Sequence, residues 1–264
     1  MAAIICAVVN QKGGVGKTQI TMSIAGTLGH RGFKVMIVDL DTQGTASVWA
    51  SMAPEEMPFP AAAINLSHRK DIAKDIPREI ARYVDDYDFI FVDCPPAILS
   101  EAPSVAMLIA DIALIPVLGG GASAWALPEV CRLVKIARAD NPELIARTVG
   151  NLNQNGAIYR DSFATLLDHE LIPRLNTLIG NRNAYKEAET TGMLVTTMPG
   201  APKVARDEVN RLVDEFLRVL GDRAGELLAA KEAKDVAAGI GIKAAKAPKA
   251  KEPKAARKAA AQEA

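Results

Sequence analysis

The stretch VVNQKGGVGKTQ, residues 8–19, decides how this chain is read. It closes on Gly16-Lys17-Thr18, the end of a phosphate loop of the form G-x-x-x-x-G-K-[ST]. The first glycine of that pattern belongs at position 11, where the chain has Gln11, and a second lysine, Lys12, stands next to it. Gly13, Gly14 and Gly16 leave no Cβ between backbone N–H groups and an anion, and a following helix adds a favourable dipole. Lys17 is expected to hold the β- and γ-phosphates of a nucleotide, and the Thr18 hydroxyl to ligate Mg²⁺. A plain glycine turn with two solvated lysines is the bland alternative. It does not explain why the loop lies between an apolar run and a helical pattern.

Outward from the loop, short apolar runs alternate with longer helical patterns. Strands are expected near 3–9, 34–39, 62–66, 89–93, 112–116, 148–153 and 176–180. Helices are expected near 17–30, 70–84, 123–139, 160–170, 184–191 and 203–220. Several runs are apolar at nearly every position, which is how strands covered on both faces read. The fold class that follows is α/β: a doubly wound, mostly parallel sheet with helices on both faces and ligands at the carboxyl ends of its strands. Residues 1–222 are expected to form this domain. Residues 223–264 read as an Ala/Lys/Pro-rich basic tail; from about 231 onward it is too poor in large apolar residues to build a core, which predicts disorder or transient helix.

Composition narrows the function classes. The chain has 264 residues, 49% hydrophobic and 23% charged, with no apolar run near the length of a membrane span and no signal-peptide pattern. Its three cysteines, Cys6, Cys94 and Cys131, lack metal-ligand spacing and suit buried thiols in a reducing cytoplasm. His30, His68 and His169 show no ligand spacing either. The formal net charge of +0 hides an asymmetry, because residues 231–264 carry nine basic groups against four acids. A mildly acidic body thus carries a basic tail, which suggests a polyanionic partner.

Two more segments bring carboxylates to strand ends. FIFVDCPP ends a strand in Asp93, and VMIVDLDTQG ends another in Asp39 and Asp41. With the loop K-G-G-V-G-K-T they resemble the ParA/MinD family of deviant Walker A ATPases, and ADIALIPV at 110–117 leans toward the ParA branch. The resemblance covers roughly residues 1–220 and is closest to small ParA proteins without an N-terminal DNA-binding domain. It implies a P-loop NTPase fold, ATP and Mg²⁺ as cofactors, and an ATP-bound sandwich homodimer. Lys12 would be the signature lysine that reaches the partner's ATP, as an arginine finger does in trans. The resemblance makes Lys12, Lys17 and Asp41 the catalytic groups, with Asp41 orienting the attacking water. It places ATP on Lys12, Gly13, Gly14, Val15, Gly16, Lys17, Thr18 and Gln19, and the metal on Thr18, Asp39 and Asp93. Thr42 departs from the proline that many relatives carry there, which bears on the hydrolysis rate.

Asn153 is expected to contact adenine, with Met198-Pro199-Gly200 as the opposite wall, although each is equally a strand-end turn. No N-K-x-D motif is present, so ATP is preferred over GTP. The resemblance further implies nonspecific nucleoid DNA as a partner. On the last helix Lys203, Arg206, Arg211 and Arg218 share one arc, opposite Val209, Leu212, Phe216 and Leu220. Asp207 and Asp214 share the arc, with Glu208 and Glu215 at its flank, so pairs such as Asp207/Arg211 and Asp214/Arg218 stand as the competing explanation of those cations. The lysine-rich tail is the competing DNA element.

The leading expectation is a cytoplasmic, nucleoid-associated positioning ATPase. A ParB-like or cargo-adaptor protein would stimulate hydrolysis and release. The cargo would be a plasmid, a chromosome region or a large protein assembly. A MinD-like membrane-associated regulator of division is the alternative. Residues 226–264 hold no aromatic and few large aliphatics, so no stable membrane anchor is expected. A redox ATPase like the nitrogenase iron protein would need a second suitably spaced cysteine beside Cys94, and a P-loop small-molecule kinase is compatible with the fold.

Overall fold

The computed structural model describes residues 2–69, 72–96, 100–118, 121–153 and 171–237, with the backbone alone for 121–127, 152–153 and 234–237. Its described residues contain seven strands: β1 (Ile4–Val8), β2 (Val35–Asp39), β3 (Ala62–Asn65), β4 (Phe89–Asp93), β5 (Ile112–Leu118), β6 (Ile145–Asn153) and β7 (Arg174–Gly180). They form one sheet in the order β3-β2-β4-β1-β5-β6-β7, and every neighbouring pair is parallel. The chain starts in the middle of the sheet and winds outward on both sides, so the strand order reverses beside β1. Such a switch point opens a crevice at the carboxyl ends of the strands, where residues 10–16 lie.

The connecting helices are α1 (Lys17–His30), α2 (Thr45–Ser51), α3 (Ile72–Ile80), α4 (Ala102–Ile109), α5 (Gly121–Asp140), α6 (Asn183–Thr191), α7 (Lys203–Val219) and α8 (Asp222–Ala237). On one face of the sheet, Ala7, Val38, Val92 and Ile115 pack with Ile76 and Ile80 of α3, Ala106 and Met107 of α4, and Val130 and Val134 of α5. On the other face Phe216 of α7 lies against Phe89 and Phe91 of β4, with ring centroids 6.1 and 5.7 Å apart. Strands β2 and β4 are buried at every position. A strand without polar alternation has no solvent face to offer, which is why these runs read as continuous apolar blocks.

The expected strands all form. Helices α2 and α4 were not foreseen, and the helix expected near 160–170 lies outside the described residues. The first part of the stretch read as the tail, from residue 223, lies in α8, which is helical from Asp222 to Ala237. The chain divides into two compact units, Met1–Gly225 and Glu226–Ala264. Within the first unit Arg223 forms an ion pair with Asp111, whose other oxygen accepts Ile5 N–H at 2.8 Å. Among the described residues no helix is long and apolar enough to cross a membrane.

Candidate functional site: a phosphate loop at the switch point

The loop is built from its two flanking elements. Asn10, just past β1, accepts Lys12 N–H at 3.0 Å and donates its own amide to Pro116 O of β5 at 2.7 Å. Gly14 and Gly16 adopt φ of 72° and 84°, the left-handed region that side chains disfavour. Gly16 is also the residue before α1, and no side chain caps that helix. The first backbone N–H groups of α1 are therefore left for a ligand, and the helix end favours an anion.

The two lysines are placed differently. Lys17 is buried, 7% exposed, and its ammonium donates to Lys12 O at 3.3 Å. Burial lowers its pKa, while the carboxylates of Asp93 and Asp41 oppose that shift. Lys12 is exposed on the lip of the loop.

The carboxylates converge from neighbouring strands. Asp39 and Asp93 are register partners at the ends of β2 and β4, and Asp93 also pairs with Val8 of β1. Thr18 donates to one oxygen of Asp93 at 2.7 Å, and Thr21 donates to the other at 3.1 Å. Burial pushes Asp93 up to about 7; Asp39 adds to that rise, and the Thr18 and Thr21 hydroxyls with Lys17 oppose it. Asp39 is raised by burial too, offset by the Ser47 and Asp41 N–H groups that it accepts at 3.0 and 3.1 Å. Asp41 accepts Gln43 N–H at 3.0 Å, which fixes the turn into Gly44 and α2.

These residues fit a nucleotide triphosphate with Mg²⁺. Because the Thr18 hydroxyl spends its proton on Asp93, its lone pairs remain for a cation. One hydroxyl and two carboxylates suit an ion that keeps several of its waters. Two raised carboxylates beside a buried ammonium form a site in which an arriving cation restores charge balance. Lys12, Lys17, Thr18, Asp39, Asp41 and Asp93 are thus brought to one edge of the sheet.

Sequence reasoning missed Asn10, Thr21, Ser47 and Asn151. Asn151 is 0% exposed on β6, and its Nδ2 donates to Val15 O of the loop at 3.0 Å. Its strand, IARTVGNLN, also carries Arg147, Thr148 and Asn153, so no local pattern set Asn151 apart. Asn153 closes β6, but its side chain lies outside the described residues. Met198 is buried, and Pro199 and Gly200 are exposed in the turn ahead of α7.

The basic residues of α7 are set apart from the loop's chemistry. Lys203, Arg211 and Arg218 are exposed and Arg206 is half-buried. The acids expected to neutralise them are largely spent elsewhere. Asp207 pairs with Lys203, and Asp214 pairs at 2.6 Å with Arg31 at the end of α1. Glu208 and Glu215, placed by sequence at the helix flank, are both buried. Glu208 accepts from Arg182, Tyr185 and Gly180 N–H, and Glu215 accepts from Asn176 and Thr177 N–H of β7.

A parallel sheet with a glycine loop at its switch point, a buried lysine in that loop and carboxylates on the adjacent strand ends define a phosphate-loop nucleotide-binding protein. Residues 6–236 match the CobQ/CobB/MinD/ParA nucleotide binding domain, and the chain belongs to that family. It is similar to the maintenance of carboxysome distribution protein A of Halothiobacillus neapolitanus, 29% identical over 215 residues, 81% of this chain and 97% of the relative. A probable plasmid-partitioning protein ParA of Thermus thermophilus is 24% identical over 244 residues, 78% of this chain and 76% of the relative. A Cyanothece McdA variant solved in complex with ATP shares the fold, with a TM-score of 0.66 at 13% identity over 82% of this chain and 97% of that one.

Proposed function

We propose that the protein is a ParA-like positioning ATPase. It binds ATP and Mg²⁺ in the phosphate loop, forms a sandwich homodimer, holds nonspecific nucleoid DNA, and is released when a cargo-bound partner stimulates hydrolysis. The observation that carries this reading is the division of labour between the two lysines. Lys17 is turned inward, its ammonium on Lys12 O of its own loop and under the influence of the Asp93 and Asp41 carboxylates of its own chain. Lys12 is exposed on the lip of that loop, which suits a cation that serves a second protomer's nucleotide.

In this reading Lys17, the loop glycines and the α1 N-terminus hold the phosphates, and Thr18, Asp39 and Asp93 hold the metal. Mg²⁺ supplies neutralisation of the phosphate charge. Asp41 orients the water whose oxygen bonds to the γ-phosphorus as the bond to ADP breaks. The reading of the cargo as a large assembly or replicon is supported by relatives named for carboxysome distribution and plasmid partition. DNA contact falls to α7 and the basic tail. With Glu208 and Glu215 turned into the body, Arg206, Arg211 and Arg218 stand outside every described ion pair.

Lys12→Ala tests the proposal. The variant is expected to bind ADP as a monomer and to lose the dimer that a nonhydrolysable ATP analogue induces in the wild type, read by analytical ultracentrifugation. A full dimer population in the variant would return Lys12 to the status of a solvated loop residue.

A further inference from the structure

Two buried amides meet beneath the phosphate loop, and their hydrogen bonding is incomplete. Asn151, from β6, uses one N–H on Val15 O, but its Oδ1 has no partner. Gln19, in the first turn of α1, has neither its Nε2 nor its Oε1 satisfied, and both atoms are shielded from solvent. The two side chains flank the same backbone point. A Cβ at Gly16 would collide with the Asn151 amide and lie 3.3 Å from Gln19 Oε1. Buried polar atoms in a native fold are nearly always paired, so three orphans at one spot call for an explanation.

The peptide plane supplies it. In a trans peptide, C=O and N–H point in opposite directions. Asn151 draws Val15 C=O toward β6, so the N–H of Gly16, which points the opposite way across that peptide plane, is turned away from Asn151. That N–H is one of the donors an anion needs. Gln19 carries two unmet amide hydrogens, the kind of donor that the unmet Asn151 Oδ1 lacks.

We propose that Asn151 and Gln19 form a peptide-plane lock, in which Asn151 aims the Gly16 N–H at a bound phosphate and Gln19 closes on Asn151 Oδ1 when the loop is filled. Both are positioning residues. The proposal rests on the reading of residues 12–19 as a nucleotide loop, and it adds that β6 takes part in phosphate binding through the loop's underside.

The test uses the full chain, with two readouts: equilibrium binding of a fluorescent ATP analogue and thermal unfolding of the nucleotide-free protein. Asn151→Leu keeps the number and branching of the side-chain heavy atoms and removes the donor. It is expected to weaken binding roughly ten-fold, the scale of a hydrogen bond serving a charged ligand. The unfolding temperature of the empty protein should stay close to wild type, because the variant trades one unmet oxygen for another. Gln19→Leu is expected to weaken binding roughly three-fold and to add little once Asn151 is already Leu. Binding equal to wild type in Asn151→Leu, or losses that add in full in the double variant, overturns the lock. If Asn151→Leu folds poorly, unchanged binding in Gln19→Leu overturns the pairing by itself. Lys17→Ala separates the two levels of the argument: if it binds the analogue as wild type does, or if the wild type does not bind it, the nucleotide loop itself is misread and the lock falls with it.

Discussion

At the scale of single residues, the site works by giving similar groups different surroundings. Asp39 and Asp93 end adjacent strands in register and are raised by burial. Asp41, two residues past β2, instead borders a turn that it holds through Gln43. A carboxylate that is buried beside a threonine hydroxyl suits a metal shell, and one at the open end of the same segment suits a water. Asp41→Ala is therefore expected to bind ATP and dimerise while losing at least ~100-fold in turnover, whereas Lys17→Ala should lose nucleotide binding altogether. Phosphate release and filter binding on the same preparations separate the two; normal turnover in Asp41→Ala would remove it from the reaction. The sequence showed these residues because the loop and strand-end carboxylates are local patterns. Asn151 was not legible, since nothing within β6 tells that its side chain reaches a loop 136 positions away in the chain.

At the scale of elements, legibility followed periodicity. Helix α7 begins at Lys203 as expected and ends one residue short of the reading, because an apolar stripe and a polar arc mark it from end to end. Helix α4, APSVAMLI, is apolar almost throughout, so it has no stripe to read, and α2 is only seven residues long. The strand order was invisible for another reason: β4 lies between β1 and β2 through pairings that no local pattern encodes. The misreading of Glu208 and Glu215 has the same origin, since the N–H groups they satisfy belong to β7 and its flank. Burial pushes Glu208 up, but Arg182, Tyr185 and Gly180 N–H outweigh it and hold the carboxyl below the usual range; Glu215 is held low in the same way by Asn176 and Thr177. A carboxyl with a depressed folded pKa releases its proton more readily in the native state than in the unfolded chain. Its contribution is complete above the ordinary carboxylate value of about 4.3 and is lost as pH falls through the folded pKa. Glu208→Gln is expected to cost about 2 kcal/mol at neutral pH, the scale of hydrogen bonds to a charged group, and to flatten the acid limb of a plot of unfolding temperature against pH. An unchanged acid limb would show that the docking of α7 on β7 does not depend on this charge.

At the scale of the whole molecule, a mildly acidic body and a basic carboxyl end divide the charge. On the function proposed above, dimerisation would double the cations that one duplex meets and so would make DNA binding depend on ATP without any new residue appearing. Each phosphate neutralised steepens the salt dependence, with log K falling by roughly 0.9 per contact for each decade of salt. Arg211→Glu with Arg218→Glu is expected to weaken ATP-dependent DNA binding and flatten that slope more than deletion of 231–264 does, because α7 is a rigid element on the folded unit. Equal affinity and slope in both variants and the wild type, measured side by side, would exclude this end of the chain as the DNA surface. The cysteines carry a consequence of a practical kind. Cys6, Cys94 and Cys131 are all buried, and burial raises all three thiols above their ordinary range. A thiol that is both covered and protonated is a poor nucleophile, so the folded protein should react with almost no Ellman's reagent and show three thiols only on denaturation. Prompt reaction of even one thiol in the native state would contradict the packing of the sheet around it. The wild-type chain is then already a silent background for thiol-directed dyes. One cysteine introduced at an exposed position such as Val48 would carry a single fluorophore on α2, the helix that follows Asp41 in the chain, and that segment could be followed without first engineering the native cysteines away.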